Sequence, residues 1–224
     1  MKTTAYWKEY WDTQTTALHR SDLTNINRLF AAEIDILIAG VGANKKRTLE
    51  IGCGSGDLYA YLGFDSIDYT GIDLSHSLIN IFRERYPSAN IFVGDAKEIK
   101  LEREFSLVFA NGVIQYFPPA DLKHILRGYH SMLDEHGTIL LSNILYKPMR
   151  KNYYLKKFEE TDAGLKESIA ALISPLKITN SEKTMGYWYE TDLFKEIAEE
   201  LDMQVHIFGS IFYPYRISVA LTKR

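Results

Sequence analysis

The chain has 224 residues, enough for one α/β domain with a buried core and too few for two full domains. Its composition is that of an ordinary globular protein, and a formal net charge of −3 gives no electrostatic case for nucleic acid, whose binders carry a basic face. The single cysteine, Cys53, excludes an internal disulfide, and no stretch reads as a membrane span or signal peptide, so a cytoplasmic protein with no nucleic-acid or membrane partner is expected.

Residues 1–20 carry Tyr6, Trp7, Tyr10 and Trp11 at i, i+1, i+4 and i+5, which a helix gathers into one aromatic stripe. The stripe either packs on the domain or closes over a ligand as a lid, and the two are compatible. Asp22 or Thr24 caps the next helix, whose apolar face is Leu23, Ile26, Leu29, Phe30, Ile34, Leu37 and Ile38. Gly40 and Gly42 end it, and Lys45 to Arg47 turn into a first strand, Thr48 to Ile51. Gly52, Gly54 and Gly56 follow, then a helix over Asp57 to Leu62. A second strand, Asp68 to Ile72, ends in Asp73. The helix after it spans Ser75 to Tyr86, with Leu78, Ile79, Phe82 and Tyr86 on one side, and Pro87 stops it. Asn90 to Val93 is a third strand, leading to Gly94 and Asp95. Phe105 to Ala110 is continuously apolar, as a buried parallel strand must be. A helix from Pro119 to about Leu133 and a fifth strand, Thr138 to Leu145 after Gly137, complete the alternation. Helix 190–201 and strands 204–208 and 216–221 close the chain.

Strands alternating with helices at this rhythm predict a doubly wound, mostly parallel sheet. Tyr146 to Tyr189 stands outside the pattern and holds Tyr153, Tyr154, Phe158, Tyr187, Trp188 and Tyr189. A stretch that long reads as a lid or substrate-binding piece.

The run T-L-E-I-G-C-G-S-G-D-L, Thr48 to Leu58, is a strand, a glycine loop and a helix start, which makes a docking edge for a small molecule. Counting G-x-G-x-x-G from Gly52 puts Asp57 where the third glycine belongs, and a carboxylate there repels the pyrophosphate of a dinucleotide. No G-K-S or G-K-T follows, so a P-loop is excluded as well. Glu50, Asp57, Asp73 and Asp95 ring the loop with carboxylates. That setting suits a ligand with an ammonium, a sulfonium and ribose hydroxyls.

These residues resemble motif I of the class I S-adenosylmethionine (SAM)-dependent methyltransferases. G-I-D-L-S (Gly71 to Ser75), V-G-D-A (Val93 to Ala96) and L-V-F-A-N-G-V-I-Q-Y-F (Leu107 to Phe117) are similar to the second, third and fourth motifs, in order and each at a strand end. The resemblance implies a Rossmann-like methyltransferase fold with seven strands, the last antiparallel, an N-terminal helical lid and an insertion after the fifth strand. It implies one domain over 1–224: a lid at 1–45, a SAM-binding half at 46–145, the insertion at 146–189 and a closing part at 190–224. SAM is the implied cofactor and S-adenosylhomocysteine its product. The cofactor residues carried over are Glu50, Gly52, Cys53, Gly54, Gly56, Asp73, Leu74, Asp95, Ala96, Asn111 and Gly112. Asp73 takes the ribose hydroxyls, Asp95 with Ala96 takes the adenine, and Glu50 orders the loop towards the methionine end.

Methyl transfer from a sulfonium asks mainly for alignment, and for a base only where the acceptor must lose a proton. Many family members carry a histidine soon after the fourth strand; here Gln115 and Tyr116 stand there, and His19 is a replacement candidate. His124, His130 and His136 read as surface residues and His206 as a strand residue. N-G-V-I replaces the N-P-P-Y of enzymes acting on planar amino groups. Asn111 and Ser142-Asn143 replace the carboxylates of Mg²⁺-dependent enzymes, so no metal is expected. The expectation is a small-molecule acceptor in an aromatic pocket drawn from Tyr6, Trp7, Tyr10, Trp11, Tyr153, Tyr154 and Trp188. Its methylated atom is an oxygen of a sugar or other specialised metabolite, with an amine as the alternative. A non-catalytic SAM-binding protein is the remaining reading. The sequence leaves the oligomeric state open.

Overall fold

A computed structural model describes residues 3–14, 24–64, 68–153 and 186–224. His19, Tyr154, Asp22, Leu23 and Phe158 lie outside these residues. In chain order the elements are α1 (Thr4–Asp12), α2 (Thr24–Gly40), β1 (Thr48–Ile51), α3 (Tyr59–Leu62), β2 (Tyr69–Asp73), α4 (His76–Arg85), β3 (Asn90–Val93), β4 (Phe105–Asn111), α5 (Pro119–Ser131), β5 (Leu133–Leu145), α6 (Thr191–Glu200), β6 (Met203–Gly209) and β7 (Arg216–Lys223). Single 3₁₀ turns stand at Ile114–Tyr116 and Lys147–Met149.

One seven-stranded sheet has the order β3-β2-β1-β4-β5-β7-β6. All neighbours pair in parallel except β7, which runs antiparallel between β5 and β6. The strand order reverses at β1, between β2 and β4, and that is where a doubly wound sheet opens a crevice. Ile51 pairs with both Ile72 and Ala110, and Asp73 with Val93. The carboxyl ends of β1 to β4 therefore share one edge.

Because strand side chains alternate, β4 and β5 feed two cores, and β1 feeds one of them. Leu49, Ile51, Val108, Ala110, Ile139 and Leu141 pack against α5 and α6 through Leu122, Leu126, Phe194 and Ile197. Leu107, Phe109 and Leu140 face α2 through Phe30, Ile34, Leu37 and Ile38. Each such side chain removed from water contributes about 1.5–3 kcal/mol. Leu29 departs from the expected face of α2: it is 49% exposed, because Phe30 and Ile34 already fill the inner side.

Two boundaries also shift. The helix after the glycine loop is a single turn beginning at Tyr59, since the Asp57 carboxylate is held by Ser55 Oγ (2.8 Å) and Arg85 Nη1 (2.9 Å). β5 starts at Leu133, ahead of Gly137, with a register break opposite Phe105 and Leu107. A Cβ on Gly137 would stand 2.7 Å from Leu133 Cβ and 3.0 Å from the Phe105 carbonyl, so only glycine lets the bulged chain fold back here.

Candidate active site

The glycine loop is built by backbone. The N–H groups of Gly52 and Cys53 both donate to the Ile72 carbonyl (2.7 and 2.9 Å), and Gly54 N–H donates to Asp73 Oδ2 (2.9 Å). Gly52 has φ +73, and a Cβ there would lie 2.2 Å from Val113 Cγ2. Val113 follows β4, so the close approach of the first and fourth motifs depends on that missing side chain.

Asp73 closes β2 with its other oxygen, Oδ1, taking the Ser75 N–H (2.9 Å). A carboxylate offers about four lone-pair sites, so acceptor capacity remains for hydroxyl donors. Burial pushes the Asp73 carboxyl above the ordinary carboxylate range, against the amide bonds that oppose the shift. Ser75 caps α4, accepting from Leu78 N–H (3.2 Å). Asp95 Oδ1 accepts from Lys97 N–H (2.9 Å), and the Ala96 carbonyl receives the Tyr129 hydroxyl (2.9 Å).

These parts enclose a cleft of about 580 Å³, open mouth included. Gly52, Ile72, Asp73 and Leu74 form its floor, and Gly94 to Lys97 one wall. Val113, Tyr116 and Phe117 form the opposite wall, while Thr4, Trp7 and Trp11 of α1 roof it. Among the named cofactor candidates, Gly52, Asp73, Leu74, Asp95 and Ala96 line the cleft. Glu50, Cys53, Gly54, Gly56, Asn111 and Gly112 stand outside the lining, beneath or beside it. Glu50 is buried, receives the Tyr69 hydroxyl on Oε2 (2.6 Å), and is pushed up to about 8, chiefly by burial. Burial raises the Cys53 thiol well above its usual range, among Tyr69, Ile79 and Phe82; this is a packed side chain and no nucleophile. Asn111 Oδ1 accepts from Ser142 Oγ (2.8 Å), and Gly112 N–H donates to the Ser142 carbonyl (2.9 Å).

Of the aromatic candidates, Trp7 and Trp11 reach the cleft and meet Tyr116 at centroid distances of 4.4 and 6.0 Å. Tyr6 and Tyr10 instead pack edge-on against Trp7 from its flanks, at 5.2 and 5.9 Å. Tyr153 and Trp188 gather around Tyr215 at 4.6 and 6.5 Å, apart from the cleft lining. None of the described histidines lines the cleft. Among the described residues, no group of three His, Cys, Asp or Glu is placed to hold a metal, and no helix is long and apolar enough to cross a membrane. Gln115 is buried and bridges Arg216 to Tyr116 (3.1 Å on each side). Thr4, Ile72, Gly94, Lys97, Val113 and Phe117 also line the cleft and are not among the candidates expected from the sequence, though Ile72 and Gly94 stand in the second and third motifs. Val113 and Phe117 sit inside the fourth motif, where a signal existed; Thr4 and Lys97 carry none.

The carboxylates and the glycine cradle fit SAM: Asp73 in the floor and Asp95 in the wall, beside a single lining lysine, Lys97, and a backbone left open by glycine at Gly52.

Residues 48–137 match the family described as "Methyltransferase domain". A malonyl-[acyl-carrier protein] O-methyltransferase of Priestia megaterium is 30% identical over 98 residues, 42% of this chain and 35% of that protein. A fatty-acid O-methyltransferase of Mycolicibacterium smegmatis is 28% identical over 81% of this chain and 64% of that protein. The chain thus spans less than two thirds of the length of these relatives. The solved structure of magnesium protoporphyrin IX methyltransferase from Synechocystis PCC 6803 with bound SAM has a TM-score of 0.64 at 11% identity, covering 99% of this chain and 97% of that one. At that identity the likeness is one of fold.

Proposed function

We propose that this chain, a class I SAM-dependent methyltransferase by fold and by the domain matched over residues 48–137, transfers the methyl group of SAM to an oxygen of a small-molecule acceptor. The observation that carries the reading is the convergence of Asp73, Asp95 and the glycine loop with Trp7, Trp11 and Tyr116 around one cleft. Asp73 has acceptor capacity left for the ribose hydroxyls, and Asp95 with Ala96 stands where the adenine is expected. Glu50 orders the loop from below through Tyr69. The cofactor supplies an electrophilic methyl group on a good leaving group. The protein's part is to align the acceptor and exclude water, which the Trp7 and Trp11 roof does. Relatives named as O-methyltransferases support oxygen over nitrogen.

An amine acceptor is the second reading, and a SAM-binding protein without turnover the third. Titration calorimetry with SAM and S-adenosylhomocysteine tests the cofactor. Release of S-adenosylhomocysteine on a panel of carboxylic acids, alcohols, sugars and amines tests the acceptor. Methyl groups arriving on nitrogen alone would replace this reading by the second, and tight binding without turnover by the third.

A further inference from the structure

Arg216, which opens β7, is a cation with no counter-ion among the described residues. Its Nη1 donates to Gln115 Oε1 (3.1 Å) and to the Asn143 carbonyl (2.6 Å), and the Tyr213 and Tyr215 rings lie 5.9 and 5.8 Å from its guanidinium carbon. Nε is buried with no hydrogen-bond partner, and among the described residues no carboxylate pairs with the group. A charge drawn partly out of water and held by neutral acceptors and aromatic faces keeps most of its field, which falls on the groups it donates to, Gln115 first among them. The local backbone is shaped for this arrangement. Asn143 has φ +64 and sits in the register break between Leu141 and Ile144, a bulge that turns its carbonyl to Arg216. It also brings Asn143 Nδ2 beside Gly112, 3.7 Å from where a Cβ would stand.

The network has a fixed direction. A guanidinium has donors only, so the Gln115 amide must turn its oxygen to Arg216 and its NH₂ to Tyr116. The Tyr116 hydroxyl accepts that NH₂ (3.1 Å), which leaves its own hydrogen to point elsewhere. Tyr116 lines the cleft under Trp7, and its hydroxyl makes no other hydrogen bond among the described residues. Burial pushes Tyr116 up to about 12, so at neutral pH the phenol is a donor and not a base.

We propose that Tyr116, polarised by Arg216 through Gln115, holds one oxygen of a carboxylate, and that the acceptor is a small carboxylic acid methylated on its other oxygen. This rests on the methyltransferase reading above. A lone pair of the free carboxylate oxygen forms the new O–CH₃ bond as the S–CH₃ bond breaks and its electron pair goes to sulfur. The carboxylate loses its negative charge, the sulfonium its positive one, and no proton moves. The step therefore needs no base, in a cleft that no described histidine lines. An ammonium would be repelled by the donor and the charge behind it, and a neutral hydroxyl would need a base.

The test uses the full chain and separates the two levels. Titration with S-adenosylhomocysteine decides the cofactor reading alone. To that complex, and to the free protein, decanoate and phenylacetate are titrated beside decylamine and phenethyl alcohol. The carboxylates are expected to bind about tenfold more tightly than the others, and to yield methyl esters when SAM is supplied. Gln115→Glu keeps Arg216 paired but presents two acceptors, so Tyr116 must donate to residue 115 and turn its hydrogen from the cleft. Carboxylate affinity and kcat/KM should fall about tenfold or more while S-adenosylhomocysteine affinity stays within about twofold. Tyr116→Phe should cause the same loss with the Gln115–Arg216 bond intact, and decides the matter should Gln115→Glu melt early. With S-adenosylhomocysteine bound, the proposal is overturned by carboxylates that bind no better than the amine and alcohol, by an absence of esters, or by a folded Gln115→Glu that binds carboxylates undiminished.

Discussion

The Asp12 carboxylate at the end of α1 accepts the hydroxyl of Ser75 (2.8 Å), the residue that caps α4 two positions after Asp73. The aromatic roof is thus fastened to the same turn that carries the ribose-binding candidate. Replacing Asp12 by Ala removes one charge-assisted bond at a partly exposed site, worth about 1 kcal/mol. The expected outcome is about a fivefold weaker SAM affinity, driven by faster dissociation, with a red shift in tryptophan emission as Trp7 meets water. Unchanged dissociation in stopped-flow measurements would show that α1 does not close on the ligand.

Asp73 joins two parts of the site, because it holds the Gly54 and Ser75 amides and faces the cleft. Asp73→Ala should lower SAM affinity about 100-fold, the scale of two hydrogen bonds to a charged group. Asp73→Asn retains one acceptor oxygen and should fall between the two. Calorimetry checks the order, and an alanine variant that binds as the parent does would remove the assignment.

Glu50 makes stability depend on pH in an unusual direction. Its folded value of about 8 lies above the ordinary carboxylate range, so between about pH 4.3 and 8 the folded state keeps a proton that the unfolded chain releases. Stability is therefore full below the unfolded value and declines as pH rises to about 8, by several kcal/mol at most. Glu50→Gln still offers Tyr69 an acceptor and carries no charge. Melting curves from pH 5 to 9 should show the variant pulling ahead of the parent as pH rises; a constant gap would mean that Glu50 is already ionised at pH 5.

What could be read from the sequence was set by local periodicity and by glycine. The strand-loop-helix at Thr48 to Leu58 and the acidic strand ends at Asp73 and Asp95 announced the cleft, and the fold places both at one sheet edge. Arg216 stayed hidden for a topological reason. It meets Gln115, 101 residues earlier, only because β7 inserts antiparallel beside β5, and no spacing in the chain encodes that juxtaposition. Gln115 stands where a histidine is common, which the sequence shows, yet its role as a bridge depends on both neighbours. Leu29 shows the converse: its helical phase matched the inner face, but the inner face was already full.

Gly52 and Val113 form a test of close packing between the first and fourth motifs. Gly52→Ala meets both a left-handed φ of +73 and a Cβ placed 2.2 Å from Val113 Cγ2. The backbone strain costs about 1–2 kcal/mol and the overlap more, so a fall in Tm of about 5–10 °C with loss of SAM binding is expected. Adding Val113→Ala relieves the overlap and leaves the strain, and should recover part of the loss. A double mutant no better than the single one would mean that φ alone decides the site.

Tyr189 fixes the wall of the cleft from behind. Its buried hydroxyl lies within reach of the Ile114 and Phe117 carbonyls, the ends of the turn that presents Gln115 and Tyr116. Its backbone N–H donates to the Leu145 carbonyl (2.9 Å), so the same residue ties that turn to the end of β5. Nearby, Tyr187 N–H donates to the Gln115 carbonyl (2.7 Å), and a Cβ on Gly186 would stand 2.2 Å from that oxygen. Tyr189→Phe keeps the ring packed on Phe194 (5.9 Å between centroids) and removes the one hydroxyl hydrogen the two carbonyls share; Ile114 keeps the Phe117 N–H (3.0 Å), while the Phe117 carbonyl loses its side-chain donor. The cost is about 1–3 kcal/mol, and it falls on the turn rather than on the glycine loop. S-adenosylhomocysteine affinity should therefore change little while kcat on the best acceptor drops several-fold, and hydrogen exchange should quicken at residues 114–117. Equal losses in cofactor binding and turnover would place the effect of Tyr189 on the whole domain instead of on this wall.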